Sequence, residues 1–420
     1  MSTHIEATPA VKAAPPRTVS LGGHVRGYLA RVRGGDIGSL PAVLGLLVLC
    51  AVFSIVRPTF FSPGNFANLF SQGAAVTLIA MGLVFVLLVG EIDLSAGFTS
   101  GVCASVLAIL LATYGLPWYI AVAAAVLAGT VIGAVLGFLV AKVGIPSFVV
   151  TLAAFLAFQG VVLLLLKEGT NITVSDSVVV AIANRNLPPV LGWVLAAVAV
   201  AAYAGVQLNR FRRRTGRGLA TDPLVVVLLR IGALTLMLGT AVYVLNVERS
   251  LNTLIASLKG VPVIVPIIAG LLILWTFLLD KTPYGRHLYA TGGNREAARR
   301  AGINVDRIRI SAFVLCSTMA AVGGIVAASR DHSVDPNTGG SNVLLYAVGA
   351  AVIGGTSLFG GKGRARDAVL GGAVVAVIIN GMGLMGYSSG IKYVVTGCVL
   401  LLAAGVDALS RRRAAATGNR

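Results

Sequence analysis

The sequence predicts an all-α polytopic membrane protein, a transmembrane helical bundle of ten to twelve spans with both termini cytoplasmic. Only 11% of its 420 residues are charged and 57% are hydrophobic, with a mean hydropathy of +0.90. A soluble domain carries about 25% charged residues, so this chain has too few to cover a water-facing surface. Its apolar residues gather in runs near 20 residues long, the length that crosses a bilayer. Its few charges are biased, with 33 Lys+Arg against 15 Asp+Glu and a net charge of +18. Disorder is excluded because it needs low hydrophobicity together with high net charge. A nucleic-acid-binding protein of this basicity would need far more polar surface.

Residues 1–39 are polar and basic with no apolar core, so they are not a cleavable signal and read as a flexible cytoplasmic tail. Twelve apolar runs follow, at about 40–57, 68–90, 96–113, 118–140, 145–166, 190–208, 224–247, 260–279, 309–328, 343–358, 368–386 and 391–409. In hydrocarbon the backbone must satisfy its own hydrogen bonds, which leaves helices for such runs. The second and third runs are nearly continuous, and the run at 343 is short and Gly-rich. Both suit a broken or re-entrant helix, which sets the range of spans. The membrane domain is thus 40–409, and 410–420 forms a second cytoplasmic tail.

Orientation follows from Lys and Arg in the connections. With the N-terminus inside and every run crossing, the cytoplasmic side receives the first tail, Lys142, the five arginines of 209–218, the loop from Lys281 to Arg309, Lys362–Arg366 and the last tail. Those segments hold most of the basic residues. A wrong number of crossings would scramble the pattern, so twelve spans fit it best.

Little conventional catalytic chemistry is visible. Cys50, Cys103, Cys316 and Cys398 all lie in apolar runs without CxxC spacing, and the four histidines fall outside the runs. A P-loop needs G-x-x-x-x-G-K-[ST]; the nearest approach, Thr356 to Gly363, lacks the first Gly and the final hydroxyl. The spans are almost free of the Asp, Glu and His that ion-coupled carriers place within them, each costing about 2.5–3.5 kcal/mol on insertion scales. Energy therefore enters elsewhere.

Three segments stand out. Gly90-Glu91-Ile92-Asp93-Leu94-Ser95-Ala96-Gly97 reads either as a tight cytoplasmic turn in which Asp93 or Ser95 caps the next helix, or as a discontinuous helix whose backbone and carboxylates border a path through the membrane. In the loop 281–308, Asn294 is a plausible N-cap, followed by Arg295, Glu296, Ala297, Ala298, Arg299 and Arg300, with Gly302 as the stop. That predicts a helix of about two turns outside the membrane, arginines on one side and small residues on another, suited to a groove on a cytosolic partner. The third segment, Val352 to Gly363, holds Thr356 and Ser357 between glycine pairs. The Gly–polar–Gly layout shared by the first and third hints at corresponding parts of two halves. Gly129, Gly133 and Gly137 form a small-residue stripe that reads as helix packing.

EIDLSAG at 91–97, YGRHLYATGGNREAARRAGIN at 284–304, IGGTSLFGGKG at 353–363 and NGMGL at 380–384 resemble the membrane permease of bacterial ABC importers of the ribose/xylose/arabinose type. PSFVVTLAAFLAFQG at 146–160 and the basic 209–218 loop bring it nearest to xylose-type permeases. The resemblance implies that Glu296-Ala297-Ala298-x-x-x-Gly302 is the EAA loop, whose helix couples to the ATPase. It further implies a homodimer around one sugar pathway in the bacterial cell membrane, a cytosolic ABC ATPase that carries ATP and Mg, and an extracytoplasmic sugar-binding protein; this chain binds no cofactor, metal or nucleic acid. Neutral sugar calls for hydroxyl-compatible groups, and Gln72, Gln159 and Asn380 within runs are candidates beside Glu91, Asp93, Ser95, Thr356 and Ser357. The same amides also suit interhelical hydrogen bonds, worth about 0.6 kcal/mol on average. Departures bear on which sugar: Gln159 stands where relatives have a basic residue, NVLLYAVGAAV before 353 lacks an acidic pair, and Ile379 replaces a polar neighbour. The rival is a twelve-helix secondary carrier, but that class has a basic loop after its second helix where this chain has EIDLSAG.

Overall fold

In the computed structural model the described residues are 40–167, 170–219, 221–250 and 257–416. The expected tail 1–39 lies outside them. Every apolar run is a helix: α1 (Leu40–Val56), α2 (Pro63–Leu88), α3 (Ala96–Ala112), α4 (Trp118–Phe138), α5 (Ser147–Leu166), a short α6 (Ser177–Asn184), α7 (Pro189–Gly216), α8 (Leu224–Asn246), α9 (Ile264–Lys281), α10 (Pro283–Gly293), α11 (Arg295–Arg300), α12 (Val305–Asp331), α13 (Ser341–Gly354), α14 (Ala365–Leu384) and α15 (Ser389–Ala416). A two-stranded ladder joins Ile172–Thr173 to Ser333–Val334. The protein is a helical, polytopic membrane protein. Among the described residues α2, α4, α5, α7, α8, α9, α12 and α14 are long and apolar enough to cross a bilayer, while α1, α3 and α13 are shorter. Helix α15 continues past the expected boundary at 409 to Ala416.

Two compact units are present. Pro189–Val244 form one, and the other described residues form the second. In the first, α7 ends in its arginine run, Asn209 accepts from Arg213 at 3.1 Å, and Arg230 pairs with Asp222 at 2.8 Å. Its apolar side chains, among them Trp193, Leu228 and Leu236, face outward, as lipid-facing residues must.

The second unit is organised around α2, the most enclosed of its spans, packed by α12, α13 and α14. Ser62 caps α2 by accepting from Asn65 N–H, with Pro63 in the first turn. The glycine stripe of α4 does serve packing. A Cβ on Gly133 would lie 2.5 Å from Phe313 O, and Gly129 and Gly137 press equally on Ser317 O and Ile310 of α12. Backbones approach because no side chain separates them.

The connections of this unit sort to two ends. At one, Lys142 pairs with Asp306 at 2.9 Å, Gly361 N–H donates to Leu88 O at 2.9 Å, and α10, α11 and Lys362–Arg366 cluster nearby. These are the basic connections. At the other lie Asn65, Asn380 and the contact of Ser71 with Ala183 O. Between residues 88 and 96 the chain is not helical. It passes inward from the basic end until Asp93 touches Cys316, near the middle of α12, and there α3 begins. The segment interrupts the helical run, and Asp93 Oδ1 accepts from Ser95 N–H at 2.9 Å just ahead of α3, so the break also caps the helix that follows.

Gly133→Leu should separate α4 from α12 and lower stability by about 1–3 kcal/mol, the usual cost of overpacking. Thermal unfolding in detergent checks this, with Gly160→Ala, which meets nothing within 4 Å, expected to be silent.

Candidate functional site

Glu91 is a carboxylate in a chain that has few of them, and its side chain is only 6% exposed. Burying it is tolerable only with partners and hydrogen bonds. Two guanidinium groups provide them: Arg295 Nη2 and Arg309 Nη2 each stand 2.7 Å from Glu91 Oε1, and Arg309 Nε donates to the same oxygen at 2.9 Å. Arg295 Nη2 also donates to Val89 O and Gly90 O, both at 3.2 Å. The orphan carbonyls after α2 are thereby satisfied by a side chain from the loop before α12. Arg309 is enclosed, with 14% exposure, whereas Arg295 is 44% exposed.

Helix α11 forms as its sequence specified. Asn294 Oδ1 accepts from Ala297 N–H at 2.9 Å, and Gly302 takes the left-handed conformation (φ 83°) just past the end. Ala298 is buried against the bundle, while Glu296, Arg299 and Arg300 are exposed. Glu296 contacts Arg300 at 3.5 Å and Arg299 at 4.0 Å, pairs that stay in water and hold little energy. The expected split is only partial: Ala298 faces inward and Arg299 and Arg300 outward, but Arg295 turns in to Glu91 and Ala297 is exposed.

Behind α11, backbones meet. A Cβ on Gly292 would fall 1.7 Å from Leu88 O and 2.7 Å from Gly361 N, so α10, the end of α2 and the 355–364 loop touch without an intervening side chain. The first and third sequence segments are therefore neighbours, Gly90 lying against Phe359 O and Gly360. Tyr289 OH donates to Gly363 O at 2.7 Å; burial pushes this phenol up to about 12, so it stays a donor at physiological pH. In the same loop Ser357 N–H donates to Lys362 O and Ser357 Oγ accepts from Phe359 N–H. Thr356 Oγ1 is buried without a partner. Asp93 Oδ1 accepts from Ser95 N–H at 2.9 Å and Ser95 Oγ–H at 2.6 Å, and its Oδ2 has none.

At the other end Asn380 donates to Asn65 Oδ1 at 2.8 Å and to Gln72 Oε1 at 3.0 Å, and Asn65 donates to Asn380 Oδ1 and Phe60 O, each at 2.9 Å. Two of the predicted pathway amides are thus joined in one network. The third is not: Gln159 is exposed on α5.

A family model described as branched-chain amino acid transport system / permease component matches residues 65–404. The xylose transport system permease protein XylH of Escherichia coli (strain K12) is 35% identical over 355 residues, 84% of this chain and 87% of the relative. XylH of Haemophilus influenzae is 32% identical over 374 residues, 88% and 96% of the two chains. The ribose import permease protein RbsC of Bacillus subtilis (strain 168) is 31% identical over 373 residues, 89% and 94%. The chain belongs to the ABC importer permeases of the ribose/xylose type. No solved structure matches it.

The permease is thus the multi-pass inner-membrane component of a monosaccharide importer, a transport subunit whose ATPase is a separate chain. Two residues of its sites escaped the sequence reading. Arg309 had been counted only as a basic loop residue, and Asn65 precedes the apolar run in which amides were sought. An acidic residue beside a span, facing a chain with surplus arginine, was the available signal for the first. The asparagine after Ser-Pro-Gly at 62–64 carried no comparable signal.

Arg309→Ala leaves Glu91 with a half-exposed partner and should cost about 3 kcal/mol, as for a broken buried pair; Arg295→Ala should cost about 1 kcal/mol. Equal losses in detergent unfolding would remove this ranking. Asn380→Leu should strand Asn65 and Gln72 at about 1–3 kcal/mol, whereas Gln159→Leu should leave stability unchanged by the same measurement.

Proposed function

We propose that this chain is the pathway-forming subunit of an ATP-driven importer for xylose or a closely related pentose or hexose. In this reading two copies surround one pathway, a cytosolic ABC ATPase binds ATP and Mg, and an extracytoplasmic binding protein delivers the sugar. The chain itself binds no cofactor. The basic end is cytoplasmic and the twelve helices cross with both termini inside. The assignment to xylose is supported by the XylH relatives, which are xylose transport permeases, and by their identity over most of both chains.

One observation carries the mechanism. Helix α11 shows Glu296, Arg299 and Arg300 to solvent, yet its first residue, Arg295, grips the buried Glu91 where α2 breaks. A force on α11 from an ATPase surface therefore reaches the backbone of residues 88–95 in one step. The break begins at the basic end and runs inward to Asp93 beside Cys316, so its movement alters the path beside α3 rather than a surface loop alone. Gln72 and Asn380, with Asn65, are the hydroxyl-compatible groups at the opposite end, where sugar enters. Asp93, Ser95, Thr356 and Ser357 belong to the gate that follows. No side chain in this scheme moves a proton or ion, as suits a neutral substrate.

Reconstitution in vesicles with an ATPase and binding protein, followed by a panel of sugars, tests the reading. Expected is ATP-dependent uptake with xylose preferred. Uptake by the isolated permease without ATP would instead establish a secondary carrier. Glu296→Lys should insert normally and abolish both ATPase recruitment and uptake, because it reverses the outward charge without touching Glu91 or Ala298. Normal ATP-driven uptake in that variant would remove the coupling role of α11.

A further inference from the structure

A cleft of about 370 Å³ opens at the basic end between the last turns of α9 and the first turn of α14, lined by Thr276, Leu279, Asp280, Arg364, Ala365 and Arg366. Neither the coupling contacts nor the amide network uses it. Arg364, Arg366 and Asp280 are exposed, and among the described residues no ion pair is made by any of the three. The N-terminus of α14 is already capped by Asp367, whose carboxylate accepts from Arg364 N–H at 2.8 Å, so it is the planar forks of the two exposed guanidinium groups that favour a phosphate. Asp280 on the facing wall would repel a simple anion and favours a ligand that also bears an ammonium.

The same helix says where the rest of the ligand lies. Residues three and four apart share a helix face, so Thr276 and Asp280 in the cleft continue into Ile273 and Phe277. Ile273 is 70% exposed and Phe277 60% exposed. Helix α9 is one of the spans, and Phe277 stands about one turn, roughly 5 Å, deeper in the membrane than Asp280. A charged cleft at the membrane surface that runs into an apolar strip at membrane depth matches a molecule with a zwitterionic head and acyl chains. A soluble partner would leave the strip uncovered.

We propose that this cleft is a phospholipid site selective for an aminophospholipid of the phosphatidylethanolamine type, its phosphate on Arg364 and Arg366, its ammonium on Asp280, and an acyl chain along Ile273 and Phe277. The lipid then braces α9 against α14 next to the coupling loop.

The test uses the full chain in detergent, titrated separately with phosphatidylethanolamine, phosphatidylglycerol and phosphatidylcholine, with bound lipid counted by native mass spectrometry. Phosphatidylethanolamine should bind about tenfold more tightly than the other two, the scale of one charge-assisted hydrogen bond. Arg364→Gln with Arg366→Gln should lose binding of all three, while the Lys pair at the same positions retains it and shows that folding is intact. Asp280→Asn should abolish the preference, with phosphatidylglycerol gaining. Lipid binding by the Gln pair equal to that of the parent overturns the site. Loss of self-association or of ATPase recruitment in the Gln pair, with lipid binding unchanged, makes the cleft a protein contact and overturns it equally.

Discussion

A single oxygen, Glu91 Oε1, holds the basic end of this permease together. It receives one guanidinium from the loop that carries α11 and another from the first turns of α12, while its own backbone ends α2. The buried carboxylate is held in place because parting from the enclosed Arg309 would strand charge away from water. The arrangement thereby fixes the position of three chain segments relative to one another. The unequal exposure of the arginines divides their tasks. Arg309 anchors, and Arg295, which is reached by water, is the partner able to yield.

Helix α2 connects this point to the opposite end. From Asn65 to the Glu91 break lie 26 helical or near-helical positions, about 39 Å at 1.5 Å each, which exceeds the roughly 30 Å hydrocarbon core. The amide network of Asn65, Gln72 and Asn380 is tied to one end of that rod and α11, through Arg295, to the other. Under the proposed function, sugar entry and the ATPase contact would act on this same element. The amides already satisfy one another, so in that scheme a sugar hydroxyl would exchange with an existing hydrogen bond.

What the sequence showed and what it concealed divide along physical lines. The twelve runs were legible because hydrocarbon forbids anything but helix at that length and polarity. Helix α11 was legible because Asn294 and Gly302 act through their own neighbours. Gly129, Gly133 and Gly137 were readable as packing for the same local reason. The depth of the break at 89–95 depends on α12, more than 200 residues away, and no local signal reports it. Helix α10 was hidden because its sequence, PYGRHLYATGG, is rich in glycine and is stabilised by its cap and by Leu288 in the core. Gln159 was grouped with Gln72 and Asn380 on residue type, yet which face of a span points inward is decided by packing. The separation of Pro189–Val244 as its own unit had no counterpart in composition, since α7 and α8 are as apolar as the rest.

The junction at Gly292 has a mechanical consequence. Where Leu88, Gly292 and Gly361 meet, peptide groups touch peptide groups, and no rotamer stands between them to absorb displacement. Side-chain contacts can slip between rotamer wells; here backbone meets backbone, so a displacement of α10 has no rotamer to absorb it before it reaches the end of α2. The permease therefore has a solid bearing at the place where slack would uncouple its two ends.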